Sequence, residues 1–204
     1  MAHNGTLKVW TDFLCPWARI GAFWLRNVEA AGALDTDVEW KTFSLENINL
    51  PEDGDADELW TTAPERRGLF PAAAAKWVQT QAPESLGSVQ KAMFDARHVD
   101  HEKIGQPEVT AKVLSSVGLD GDAVTKEIAD DPKWLEAARA DHDEAAGLGV
   151  FGVPTFVFGD APPAFVRLLE VTDGDRAVEI YHRVRASALD PTIHELKRPA
   201  LVRH

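Results

Sequence analysis

Cys15 is the one cysteine among 204 residues, set in Asp12-Phe13-Leu14-Cys15-Pro16-Trp17-Ala18 between a strand-like and a helix-like run. A cysteine at a helix start faces free backbone N–H groups and the positive end of the helix dipole, and both favour thiolate over thiol. Such positions lower a cysteine pKa from about 8.5 into a range of roughly 3.5 to 7.5. The placement therefore predicts a Cys15 that is largely thiolate at neutral pH. A thiolate can attack a disulfide and form a mixed disulfide. Position 18, three residues on, could hold a second thiol to resolve that adduct, but it holds the methyl group of Ala18. One sulfur can begin the exchange; something else must finish it.

The flanking elements must place that sulfur. Thr6 to Phe13 is rich in β-branched and aromatic residues and reads as a strand. Pro16 suits a first helical position, Ile20, Trp24, Val28 and Ala31 follow at helical spacing, and Gly32 offers a stop. A second segment, Gly149 to Gly159, is apolar and strand-like with Pro154 near its start. Proline is tolerated at the first residue of a strand, and the bond before it is a candidate for the cis form.

Together, Cys15-Pro16-Trp17-Ala18 after a strand and Val153-Pro154-Thr155 far along the chain resemble the DsbA-like branch of the thioredoxin superfamily. The likeness is nearest to actinobacterial mycothiol-dependent DsbA-like reductases, which share Asp-x-Leu-Cys-Pro-Trp and a stretch like Glu195-Leu196-Lys197-Arg198. The resemblance implies an α/β, thioredoxin-like fold with an inserted helical subdomain. It implies Cys15 as nucleophile, Pro154 as a cis-proline, and Val153 as the residue whose backbone pairs with a bound thiol substrate. Pro16, Trp17, Ala18 and Thr155 complete the motif and substrate-binding set. Ala18 departs from the family's Cys-Pro-x-Cys pattern and puts two-cysteine cycling in doubt.

The rest of the chain fits that plan. Asp37 to Leu45 reads as a second strand, with Val38, Trp40 and Thr42 on one face. Glu46 to Pro64 is polar and acidic and reads as a loop. Helical patterns dominate from about Pro71 to Leu148, including a helix capped by Asp131 with Pro132 at its first position. A short strand, a turn at Gly159 to Pro163, a strand near Phe165 to Val171 and a helix from Asp175 to Ala188 follow. The expected division is a thioredoxin-like domain at 1–56 and 149–204 with a helical insertion at 57–148.

Several function classes lose their footing. The formal net charge of −12 argues against a nucleic-acid partner. No apolar run of about 18 residues is present, so no membrane span is expected. Met1 to Gly5 lacks the basic and apolar regions of a signal peptide, and a cytoplasmic setting is expected. His98 and His101 are two residues where zinc usually takes three or four ligands, so no metal is expected and a solvated helix end is the plainer reading. His142, between two aspartates, reads as part of a polar helical face. Trp10 and Trp24 read as core, and Trp17 as the wall of a substrate groove.

The leading expectation is a thiol-disulfide oxidoreductase acting through Cys15 with a low-molecular-weight thiol, mycothiol or glutathione, as co-substrate. Its partners are that thiol and a disulfide or electrophilic substrate; the oligomeric state stays open, a homodimer included. One alternative resembles the kappa-class glutathione transferases and 2-hydroxychromene-2-carboxylate isomerases, which carry Ser-Pro where this chain has Cys15-Pro16. Another is a two-cysteine mycothiol-dependent reductase in which Ala18 replaces a cysteine to trap intermediates. A non-catalytic binding module using the same groove is the third.

Overall fold

The computed structural model describes residues 5–62 and 68–197. Arg198, Met1 to Asn4 and the end of the expected loop at Pro64 lie outside them. The chain forms β1 (Leu7–Thr11), α1 (Pro16–Ala30) and β2 (Val38–Thr42), then a run of helices, then β3 (Thr155–Phe158), β4 (Ala164–Phe165) and a closing helix, Gly174–Leu189. The sheet order is β2-β1-β3-β4. β1 runs parallel to β2, with Leu7 opposite Val38 and Thr11 opposite Thr42. It runs antiparallel to β3, with Trp10 opposite Thr155. That register decides where chemistry can occur. The end of β1 lies beside the start of β3, so the loop carrying Cys15 and the loop carrying Pro154 emerge at the same end of the sheet's central strands.

β1 is central and buried along most of its length, as its apolar run requires of a strand covered on both faces. α1 covers it with Ala18, Gly21, Ala22, Trp24, Leu25 and Val28, which recur at helical spacing. Gly32 ends the helix at φ +68°, a conformation that glycine adopts without steric cost. The closing helix packs on α1, and Trp24 Nε1 donates to the Ala177 carbonyl at 3.1 Å.

Among the described residues seven α-helices separate β2 from β3: α2 (Leu45–Ile48), α3 (Ala56–Thr62), α4 (Leu69–Gln81), α5 (Leu86–His98), α6 (Pro107–Ser116), α7 (Gly121–Asp130) and α8 (Lys133–Gly147); the closing helix is α9. The expected loop at 46–64 thus contains two short helices. Ser44 caps α2 by accepting from Asn47 N, and Asp55 accepts from Asp57 N and Glu58 N at the start of α3. α3 then buries Leu59 and Trp60. Runs of four and seven residues are too short for a 3.6-residue pattern to stand out among acidic neighbours. α8 begins one residue later than expected, with Pro132 at the cap and Asp131 accepting from Lys133 N. The strand expected over 165–171 shrinks to a two-residue edge. Beyond it, Val166 N donates to the Pro154 carbonyl at 3.2 Å and the chain leaves the ladder.

α8 is locked to β2 by buried polar contacts. Asp141 accepts from Thr42 N at 3.0 Å and from Lys76 Nζ at 2.7 Å. His142 is not on a polar face; it is 3% exposed and packs against Phe43 and Trp60. Its Nδ1 accepts from Ser44 N at 3.3 Å, and burial pushes its pKa down, which keeps the ring neutral for that role.

Candidate active site

Cys15 occupies the cap position of α1 in an extended conformation, with Pro16 as the first helical residue. Proline suits that place because the missing N–H would have had no helical partner. Cys15 is 5% exposed, and its S–H donates to the Val153 carbonyl at 3.3 Å. One contact therefore joins the two segments that the sequence singled out.

The protonation state departs from the sequence expectation. Burial pushes the Cys15 thiol up. The N–H groups of Ala18 and Trp17 pull it down, Asp12 pushes it up, Arg167 pulls it down, and the net direction is up. The helix-start N–H groups favour the thiolate but make no capping hydrogen bond with the sulfur, and desolvation outweighs them. The resting group is a thiol hydrogen-bonded to Val153, not a thiolate.

Asp12 was visible in the sequence as part of a motif, without a role. It is buried, accepts from Leu14 N and Leu45 N, each at 2.7 Å, and so ties the cysteine loop to the start of α2. Burial raises its pKa to about 6, against the two backbone hydrogen bonds that lower it, with a small upward push from Glu46. A raised folded-state pKa means that this group's contribution to stability is full below about pH 4 and is lost as pH rises through about 6. At neutral pH Asp12 is mostly ionised, and its charge opposes ionisation of Cys15.

A pH profile follows. The alkylation rate of Cys15 should rise with an inflection above the ordinary value of about 8.5. Asp12→Asn removes the opposing charge and should move that inflection down. An inflection below about 8.5 in the parent, or none moved by Asp12→Asn, contradicts this electrostatic account.

The facing loop is fixed by close packing. The Val153-Pro154 bond is cis, as expected for it. Val153 and Thr155 are 3% and 2% exposed, and Thr155 Oγ1 donates to the Gly152 carbonyl at 2.7 Å. On the α1 side, Gly21 lies against the proline ring, and a Cβ there would stand 2.7 Å from Pro154 Cγ. A proline ring cannot swing aside. Gly21→Ala should cost about 1–3 kcal/mol in stability and slow Cys15 chemistry by displacing the loop. Thermal unfolding and alkylation rate measure both; an unchanged alkylation rate would contradict the placement. Nothing in the sequence pattern distinguished Gly21 from an ordinary helical glycine.

The rim is aromatic and carries one guanidinium. Trp17 is half-buried, and Arg167 lies over its ring at 4.1 Å from the centroid. Phe151 is 70% exposed, with its ring centroid 5.2 Å from that of Phe165. Pro16 is exposed and Ala18 fully buried. His98 is not a solvated helix end: its Nε2 donates to the Phe13 carbonyl at 2.9 Å, and burial lowers its pKa. It braces the loop before Cys15 from α5. Among the described residues no three His, Cys, Asp or Glu side chains group as metal ligands.

An uncharacterized protein of Mycobacterium tuberculosis is 30% identical over 195 residues, spanning 92% of this chain and 79% of its own. A probable DsbA oxidoreductase of Streptomyces coelicolor is similar in structure, with a TM-score of 0.61 at 17% identity over 96% of this chain and 94% of that one. The cytosolic disulfide reductase DsbM of Pseudomonas aeruginosa has a TM-score of 0.57 at 18% identity, over 89% of this chain and 95% of its own. These two likenesses are of fold. With residues 6–179 matching the DSBA-like thioredoxin domain, and a cap-position cysteine facing a cis-proline loop, the chain belongs to the DSBA-like thioredoxin family.

Proposed function

We propose that the protein is a thiol-disulfide oxidoreductase of DsbA type that works through Cys15 alone, with a low-molecular-weight thiol as co-substrate. The observation that carries the reading is the contact of the Cys15 thiol with the Val153 carbonyl, in a site where position 18 is a buried alanine. A substrate disulfide approaches across the Trp17 and Phe151 rim. Cys15 loses its proton and attacks one sulfur; the substrate S–S bond breaks, a Cys15 mixed disulfide forms, and the other sulfur leaves as thiolate. Deprotonation frees the Val153 carbonyl, and the N–H groups of Trp17 and Ala18 hold the sulfur's charge. A second, external thiolate then attacks the substrate sulfur of the adduct; the Cys15 S–S bond breaks, a disulfide forms between the external thiol and the substrate sulfur, and Cys15 leaves as thiolate and is reprotonated.

Glutathione and mycothiol both fit the role of external thiol. DsbM, similar in fold, has a structure with GSH; the sequence likeness around Cys15 makes mycothiol, a neutral thiol, the other candidate. A thiol-rich cytoplasm is the setting in which a one-sulfur enzyme would turn over. Among the described residues no helix is long and apolar enough to cross a membrane.

The test is to incubate the reduced protein with glutathione disulfide and take an intact mass and a peptide map without reductant. A glutathionyl adduct confined to the Cys15 peptide is expected. An unmodified protein after prolonged incubation with excess disulfide overturns the reading.

A further inference from the structure

Arg167 stands out because the fold brings its charge to the mouth of the Cys15 site with no described carboxylate paired to it. Val166 N is pinned to the Pro154 carbonyl at 3.2 Å, so the next residue is delivered to the mouth of the site. The guanidinium carbon lies over Trp17, two residues from the nucleophile, at 4.1 Å from the ring centroid. Its charge is felt at the Cys15 sulfur. Arg167 is exposed, and among the described residues no carboxylate lies within salt-bridge distance of it. The chain has 33 acidic residues to 21 basic ones, and most described arginines do pair. A stacked guanidinium keeps its N–H edge free, and that edge matches the two oxygens of a carboxylate.

We infer that Arg167 is a specificity-determining residue that binds a carboxylate of the thiol or disulfide exchanging at Cys15, so that the co-substrate is an acidic thiol rather than a neutral one. This rests on the reading of Cys15 as an exchange centre. The cation–π contact with Trp17 restrains the guanidinium before the ligand arrives, which lowers the ordering cost of binding. The exposed Phe151 and Phe165 rings give the ligand's apolar part a surface on the same rim.

The test compares rates of Cys15 mixed-disulfide formation with two small disulfides, glutathione disulfide, which carries carboxylates, and neutral hydroxyethyl disulfide, in the parent and in Arg167→Gln. The substitution should lower the ratio of the first rate to the second about tenfold, in line with losing one charge-assisted hydrogen bond. Added salt should lower the same ratio in the parent and leave it nearly flat in the variant. An unchanged ratio overturns the inference. So does an equal fall in both rates, which would mean that Arg167 acts on the Cys15 sulfur rather than on the ligand. If the parent exchanges with neither disulfide, the reading of Cys15 itself fails, a result distinct from either.

Discussion

Cys15→Ser should abolish mixed-disulfide formation with every disulfide, because no other sulfur nucleophile of this type exists in the chain. The same change should leave the fold nearly intact. The serine hydroxyl is smaller than the thiol but can donate to the Val153 carbonyl as the thiol does. A stability change of no more than about 1 kcal/mol is expected, the scale of one rearranged hydrogen bond. Intact mass after disulfide treatment reads the first effect and thermal unfolding the second. An adducted Cys15→Ser protein would show that the chemistry lies elsewhere; a collapsed fold would show that Cys15 is mainly a packing residue.

Ala18→Cys carries the second large effect. Cys15 caps α1 and Ala18 lies within its first turn, so position 18 is close to the Cys15 sulfur along the chain. Side chains three apart on a helix surface stand about 5–6 Å apart at Cβ, somewhat beyond disulfide spacing. Cys15 is at the extended cap position, however, where the backbone is free of the helical constraint. A bridge that is strained and easily reduced is the expected product. The cysteinyl sulfur enters a fully buried site, which should cost about 1–3 kcal/mol of stability. In the variant, a Cys15 adduct should collapse without added thiol, with loss of two hydrogens relative to the reduced protein. Stopped-flow decay no faster than in the parent at zero thiol would mean that position 18 does not face Cys15.

The site's frame was legible in the sequence because it rests on local rules. Strand, Cys15, Pro16 and helix follow one another in the chain, and Pro154 marks the start of β3 by its own geometry. The register that joins them, Trp10 opposite Thr155, is a long-range pairing that no local pattern encodes. Residues whose meaning depends on such contacts carry no local signal. His142 looked polar beside two aspartates, yet it is buried against Phe43 and Trp60. His98 looked like a solvated helix end, yet it reaches the Phe13 carbonyl across the fold. Arg167 and Gly21 matter because of Trp17 and Pro154, which are distant in sequence from one or the other. The thiolate expectation failed for a related reason. A helix start can be seen in a sequence, but the depth at which it buries a sulfur cannot, and here burial outweighs the N–H groups.

The most direct test of single-sulfur exchange is the fate of the Cys15 mixed disulfide in the unaltered protein. The adduct is prepared with glutathione disulfide, freed of excess reagent and mixed with increasing concentrations of reduced glutathione. Its decay is followed by mass or by released thiol. With Ala18 as its neighbour, the adduct should persist at zero thiol and clear at a rate proportional to the thiol added, extrapolating to zero at the origin. Clearance at a substantial rate without any added thiol would contradict the account, because it would require an internal resolving group that Cys15 does not have.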